Sequence, residues 1–125
     1  MTKYWMVGLG GFFGSIARFW LGSYVTARIG GRFPFGTFII NISGSFLIGL
    51  IVTLLAERAH WSANWLYLIP IGFIGAYTTF STFELEAFRS VRGGDLLLAL
   101  LYVVLSVCVG FVAVWLGILS GRALE

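Results

Sequence analysis

The chain is poor in charge, in acid and in residues able to bind a soft metal. Only 10% of its 125 residues are charged, against 59% hydrophobic, a balance that does not belong to a soluble globular domain. Cysteine occurs once, at Cys108, and histidine once, at His60. A single cysteine excludes an intrachain disulfide, and within an apolar segment it reads as a small packing residue. His60 has no second His or Cys ligand nearby and is not read as a metal ligand. No internal repeat and no low-complexity tract is present.

Long apolar runs fill the space that these absences leave. A spanning helix needs roughly 20 apolar residues. Four such segments with short connections account for the chain, at about Tyr4–Val25, Phe35–Leu55, Trp65–Phe88 and Leu96–Leu119. The expected fold is therefore an all-α membrane protein, one four-helix transmembrane domain over residues 1–125. No stretch remains for a nucleotide site or a catalytic module, so an enzyme is not expected. The first segment is too long, and its small residues too poorly placed for cleavage, to read as a removable signal peptide.

The net charge of +3 does not point to nucleic acid. Lys3, Arg28, Arg32, Arg58, Arg89, Arg92 and Arg122 all fall at segment ends or connections, where basic residues anchor and orient a membrane protein in its bilayer. Four crossings put Lys3, Arg58 and Arg122 on one side and Arg28, Arg32, Arg89 and Arg92 on the other. So even a split leaves orientation unspecified by the positive-inside rule. A chain without preference can insert both ways and pair as an antiparallel homodimer, which would also supply the interior that one small subunit lacks.

The segments carry polar marks at helical spacing. Gly8, Gly11, Gly14, Ser15 and Gly22 give the first a face for close helix approach. Arg18, the only charge in its interior, must face protein or water, or else snorkel to the interface. Pro34 opens the second segment, where a missing N–H costs nothing. Thr37, Asn41 and Ser45 then recur every four residues as a polar stripe. Asn41 can donate to an anion or bond another helix. Trp61, Trp65 and Tyr67 fit an interfacial aromatic belt. Tyr102, Ser106 and Gly110 repeat at the same spacing in the fourth segment.

The third segment is the most unusual. Gly75-Ala-Tyr-Thr-Thr-Phe-Ser-Thr-Phe83 places Thr78, Thr79, Ser81 and Thr82 in the middle of an apolar span. Every backbone group in lipid needs an internal partner, so such a run signals a broken helix at the midplane, tolerated where protein buries it or where it lines a water-filled path. Carbonyls freed by a break suit a hard cation such as Na⁺, and hydroxyl and amide donors suit a small anion. Phe80 and Phe83 either pack or turn their positive ring edges to an anion.

That run resembles the signature of the Fluc (CrcB-type) fluoride channels, as do Gly14-Ser-Ile-Ala-Arg18 and Pro34-Phe-Gly-Thr-Phe-Ile-Ile-Asn41. The likeness covers essentially the full length. It implies a dual-topology antiparallel homodimer in a prokaryotic cell (inner) membrane that passes fluoride out of the cytoplasm and so lowers its toxicity. It further implies a structural, non-transported Na⁺ shared at the dimer interface by the carbonyls of Gly75 and Thr78 from each subunit. By the same resemblance Asn41, Phe80, Phe83, Ser81, Thr82, Tyr102 and Ser106 line the fluoride pathway, with Arg18 and Glu86 in vestibule or structural positions. Ala76, Glu84 and Gly110 depart from the usual glycine, serine and serine. Of the rivals, a small four-helix multidrug or cation exporter needs a carboxylate in its first helix, where this chain has Arg18 and no acid. A non-transporting scaffold subunit would not need a hydroxyl-rich break.

Overall fold

The computed structural model describes residues 1–57 and 62–124, with Glu57 described in its backbone alone. The readings of Arg58, His60 and Trp61 lie outside the described residues. The chain runs through α1 (Thr2–Ile29), α2 (Phe35–Glu57), α3 (Asn64–Leu66), a π-helical stretch (Tyr67–Ile74), α4 (Gly75–Tyr77), α5 (Phe80–Arg92) and α6 (Leu96–Ala123). The four helical segments expected from the apolar runs are thus present, each prolonged by a few residues beyond the apolar span into its polar ends.

Among the described residues three stretches, Phe35–Ala56, Asn64–Arg92 and Leu96–Ala123, are long and apolar enough to cross a membrane. With 28 residues, α1 reaches about 42 Å at the usual helical rise, but its glycines and Arg18 dilute its apolar content. The outer surface is oily. On α1 alone Leu9, Phe12, Phe13, Ile16, Phe19 and Trp20 are exposed. Such a surface is untenable in water and ordinary against lipid tails. The protein is a multi-pass membrane protein.

Packing rests chiefly on two pairings, α2 with α6 and α1 with the π-helical stretch. Both use glycine for close backbone approach. A Cβ on Gly14 would collide with the Phe73 carbonyl, and one on Gly117 with that of Phe46. On α1 Gly10 and Gly14 are buried in close contact with the third segment, and Gly22 lies close against Ile40 and Gly36 of α2. Gly8, expected on that face, has open space beside it instead. The π-helical stretch contains Pro70, which has no N–H to give and crowds the preceding turn, so a widened turn relieves it. Cys108, expected as a packing residue, is exposed on α6.

Candidate functional site

The third segment leaves helical geometry at Thr78 and Thr79, which are both extended (φ −78°, ψ 158° and φ −147°, ψ 118°). Gly75, where the sequence placed the start of the break, is helical at φ −59°, ψ −36°. The interruption therefore falls three residues later than glycine alone indicated. Two side chains direct it. Asn41 on α2 faces the Thr79 peptide, accepting from its N–H at 2.8 Å and donating to its carbonyl at 3.0 Å. Thr79 itself caps α5, its Oγ1 accepting from the Thr82 N–H at 3.4 Å and donating to Thr82 Oγ1 at 3.0 Å.

These bonds redirect two amides. In a continuous helix the Thr79 N–H would serve the Gly75 carbonyl, and the Thr82 N–H that of Thr78. Here the first goes to Asn41 Oδ1 and the second to Thr79 Oγ1. Among the described residues no group of three or more His, Cys, Asp or Glu side chains gathers as metal ligands would. The oxygens this region offers are main-chain carbonyls, the threonine hydroxyls and the Asn41 amide.

A second hydrogen-bonded cluster joins α2, α5 and α6 at Glu86. Its Oε1 accepts from Thr37 Oγ1 at 2.9 Å and its Oε2 from the Tyr102 hydroxyl at 2.8 Å. Tyr102 is fully buried, and its ring meets Phe83 at 5.1 Å between centroids and 64° between planes. One turn further along α6, Ser106 has its Oγ buried without a hydrogen-bond partner. Other hydroxyls on these helices return to their own backbone, Thr53 to Gly49 and Ser120 to Leu116.

Two grooves flank these clusters. One of about 270 Å³ runs beside Asn41, Ser45, Thr78, Thr79 and Phe80. The other, about 580 Å³, holds Arg18, Thr37, Thr79, Thr82 and Glu86. Arg18 is half-buried and lines this groove together with Glu86.

The structure thus brings Asn41, Thr78, Thr79 and Phe80 together, and separately Arg18, Thr82, Glu86 and Tyr102. The two phenylalanines part company. Phe83 is 6% exposed and packs on Tyr102, whereas Phe80 is 74% exposed, with the rings 5.9 Å apart. Ser81 and Glu84 are exposed on α5, and Gly110 is buried on α6 beside Ser45. Sequence reasoning did not single out Thr37 or Thr79 as site residues. The four-residue spacing of Thr37 and Asn41 was the available signal for the first, and nothing local distinguished Thr79 from its hydroxyl neighbours.

The sequence profile of the family described as CrcB-like protein, Camphor Resistance (CrcB), matches residues 5–118. A protein named fluoride-specific ion channel FluC from Acidobacterium capsulatum is 49% identical over 120 residues, 96% of each chain. A protein of the same name from Solibacter usitatus is 48% identical over 120 residues, 96% of this chain and 98% of its own. Another so named, from Methylococcus capsulatus, is 43% identical over 118 residues, which is 94% of this chain and 52% of its own length.

Proposed function

The chain belongs to the CrcB-like family, and from that premise we propose that it is a fluoride-specific channel of a prokaryotic inner membrane rather than an enzyme. It lets cytoplasmic fluoride leave passively, down its electrochemical gradient. The supporting relatives carry the name fluoride-specific ion channel.

The observation that carries the reading is the Ser106 hydroxyl. A buried O–H without an acceptor is costly, and serines in apolar helices ordinarily donate to their own backbone. Ser106 does not, and Tyr102, which carries the hydroxyl bound to Glu86, lies one turn away on the same helix. A small dehydrated anion passing along this face would accept from the Ser106 hydroxyl, beside a Tyr102 hydroxyl that is already given to Glu86. Phe80, exposed beside the groove of Asn41 and Thr78, can present its positive ring edge to the same ion. Phe83, Ser81 and Thr82 continue the path by family likeness, and Arg18 with Glu86 forms its vestibule.

The Gly75 and Thr78 carbonyls, whose helical amides are engaged elsewhere, fit a hard monovalent cation with oxygen ligands. Bound there, Na⁺ would supply fixed positive charge near the path without itself moving. Gly75 is exposed, and a Cβ on it would meet nothing closer than the Pro70 carbonyl at 3.9 Å. Room of this kind suits the approach of a second, antiparallel copy contributing the same two carbonyls. The near-even split of basic residues supports the same dual-topology dimer. The exporter alternative lacks its carboxylate, because α1 carries no acid.

The deciding experiment is fluoride release from liposomes containing only this protein, followed with a fluoride electrode against a chloride control. Fluoride release with chloride retained is expected. Equal release of both ions defeats the selectivity, and release of neither defeats the channel.

A further inference from the structure

The connection between α1 and α2 carries nothing that the proposed function uses, yet it reaches the pathway at two points. Its backbone turns through Gly30 and Gly31, with φ 62° and 88°, values that side-chain-bearing residues rarely adopt. A Cβ on either would meet nothing within 4 Å, so glycine is needed there for conformation and not for space. The turn delivers Arg32 and Phe33 onto α6. Arg32 Nη1 lies 3.6 Å from Asp95 Oδ2, while Asp95 Oδ1 accepts from the Leu98 N–H as the cap of that helix. The Phe33 ring stands edge-on to Tyr102, 5.3 Å between centroids and 80° between planes. Asp95 and Tyr102 are two turns apart on one face of α6. The loop therefore holds that face at both ends.

Phe33 completes a setting for Tyr102. Its ring is met from one direction by Phe83 on α5 and from another by Phe33 on the loop. Phe33 is braced in turn by Phe35 at 4.7 Å and Phe38 at 5.4 Å. A phenol whose ring is held by two edge contacts cannot swing, so its hydroxyl stays aimed at Glu86 Oε2, 2.8 Å away. Removing one contact frees the ring to turn and loosens the bond by which the hydroxyl holds Glu86 beside the path.

We propose that residues 30–34 are a clamp on the conduction path, in which Phe33 is a positioning residue for the Tyr102 hydroxyl and the Arg32–Asp95 pair is the latch that seats it. The proposal rests on the fluoride-channel reading and assigns part of that path's control to a loop outside the apolar segments. Because Arg32 is largely exposed in the pair, the latch is open to screening by salt.

The test is the single-channel fluoride current of the full-length dimer in planar bilayers, for Phe33→Leu, Tyr102→Phe and the double variant. If Phe33 acts through the Tyr102 hydroxyl, each single change lowers the current about tenfold and the double change goes no lower. Phe33→Tyr, which keeps the ring, restores it. Full current in Phe33→Leu, or losses that multiply in the double variant, overturns the proposal. Should Phe33→Leu fail to assemble, Arg32→Gln carries the test, with a smaller fall in current expected and an unchanged current counting against the clamp. A wild-type protein that passes no fluoride sinks the functional reading instead. The clamp is then decided by the ¹³Cζ resonance of Tyr102, assigned through Tyr102→Phe. Movement in Phe33→Leu sustains the clamp, and an unmoved resonance overturns it.

Discussion

Asn41 binds both backbone polar groups of Thr79, its Oδ1 2.8 Å from the amide nitrogen and its Nδ2 3.0 Å from the carbonyl oxygen. One side chain on α2 thereby receives the amide that the interrupted third segment leaves without its helical partner, and adds a donor to the carbonyl with which Thr79 opens α5. A residue read from sequence as either an anion donor or a link between helices is, within this chain, the link. One hydrogen of Nδ2 remains for a passing ion.

Asn41→Asp is expected to damage both roles. The carboxylate still accepts from the Thr79 N–H but has nothing to donate to the Thr79 carbonyl, and it repels an anion. Losing that hydrogen bond costs about 0.5–1.5 kcal/mol. Thermal unfolding in detergent should show a lowered midpoint, and fluoride release should nearly vanish. A variant with wild-type midpoint and wild-type release would remove Asn41 from the account of both break and path.

Ser106→Ala should separate function from stability in the opposite sense. Within the chain the hydroxyl has no partner, so its removal leaves stability unchanged or raises it by about 1 kcal/mol. Fluoride release should fall severalfold all the same. Unaltered release would show that this hydroxyl never meets the ion.

The two phenylalanines should respond differently to isoleucine. Phe83 is buried against Tyr102, and its replacement forfeits an aromatic pair worth about 0.5–1.5 kcal/mol. Phe80 is mostly exposed, so Phe80→Ile should cost little in the stability of the single chain while fluoride release drops. If both variants lose stability equally and release follows stability alone, the rings only pack.

Replacing Na⁺ by a large inert organic cation on both sides of the membrane should abolish fluoride release. Thr78→Ser should keep the ion, since its proposed ligands are main-chain oxygens. Gly75→Val fits the helix of an isolated chain, where a Cβ finds room, so the damage should appear as loss of the dimer on size-exclusion chromatography. Isotopic Na⁺ moving together with fluoride would turn the proposed structural ion into a coupled one.

Sequence by itself determined the class of this protein and the number and approximate extent of its helical segments. Lipid leaves few options, because backbone groups must pair within the segment, and a run of apolar residues of spanning length therefore declares itself without reference to any other part of the chain. The hydroxyl-rich run from Gly75 to Phe83 was visible on the same ground, as a local breach of that rule. What only the tertiary structure decided is where the breach is absorbed and which side chains absorb it. Extended backbone lies at Thr78 and Thr79 and not at Gly75, because Asn41, 38 residues away, is placed to receive the Thr79 peptide. Glu86 likewise finds Thr37 and Tyr102 at separations of 49 and 16 residues. Those pairings depend on how α2, α5 and α6 pack, with the α2–α6 crossing set by backbone contact at glycines such as Gly117. Periodicity along one helix states which face is polar, but not which residue of another helix will meet it.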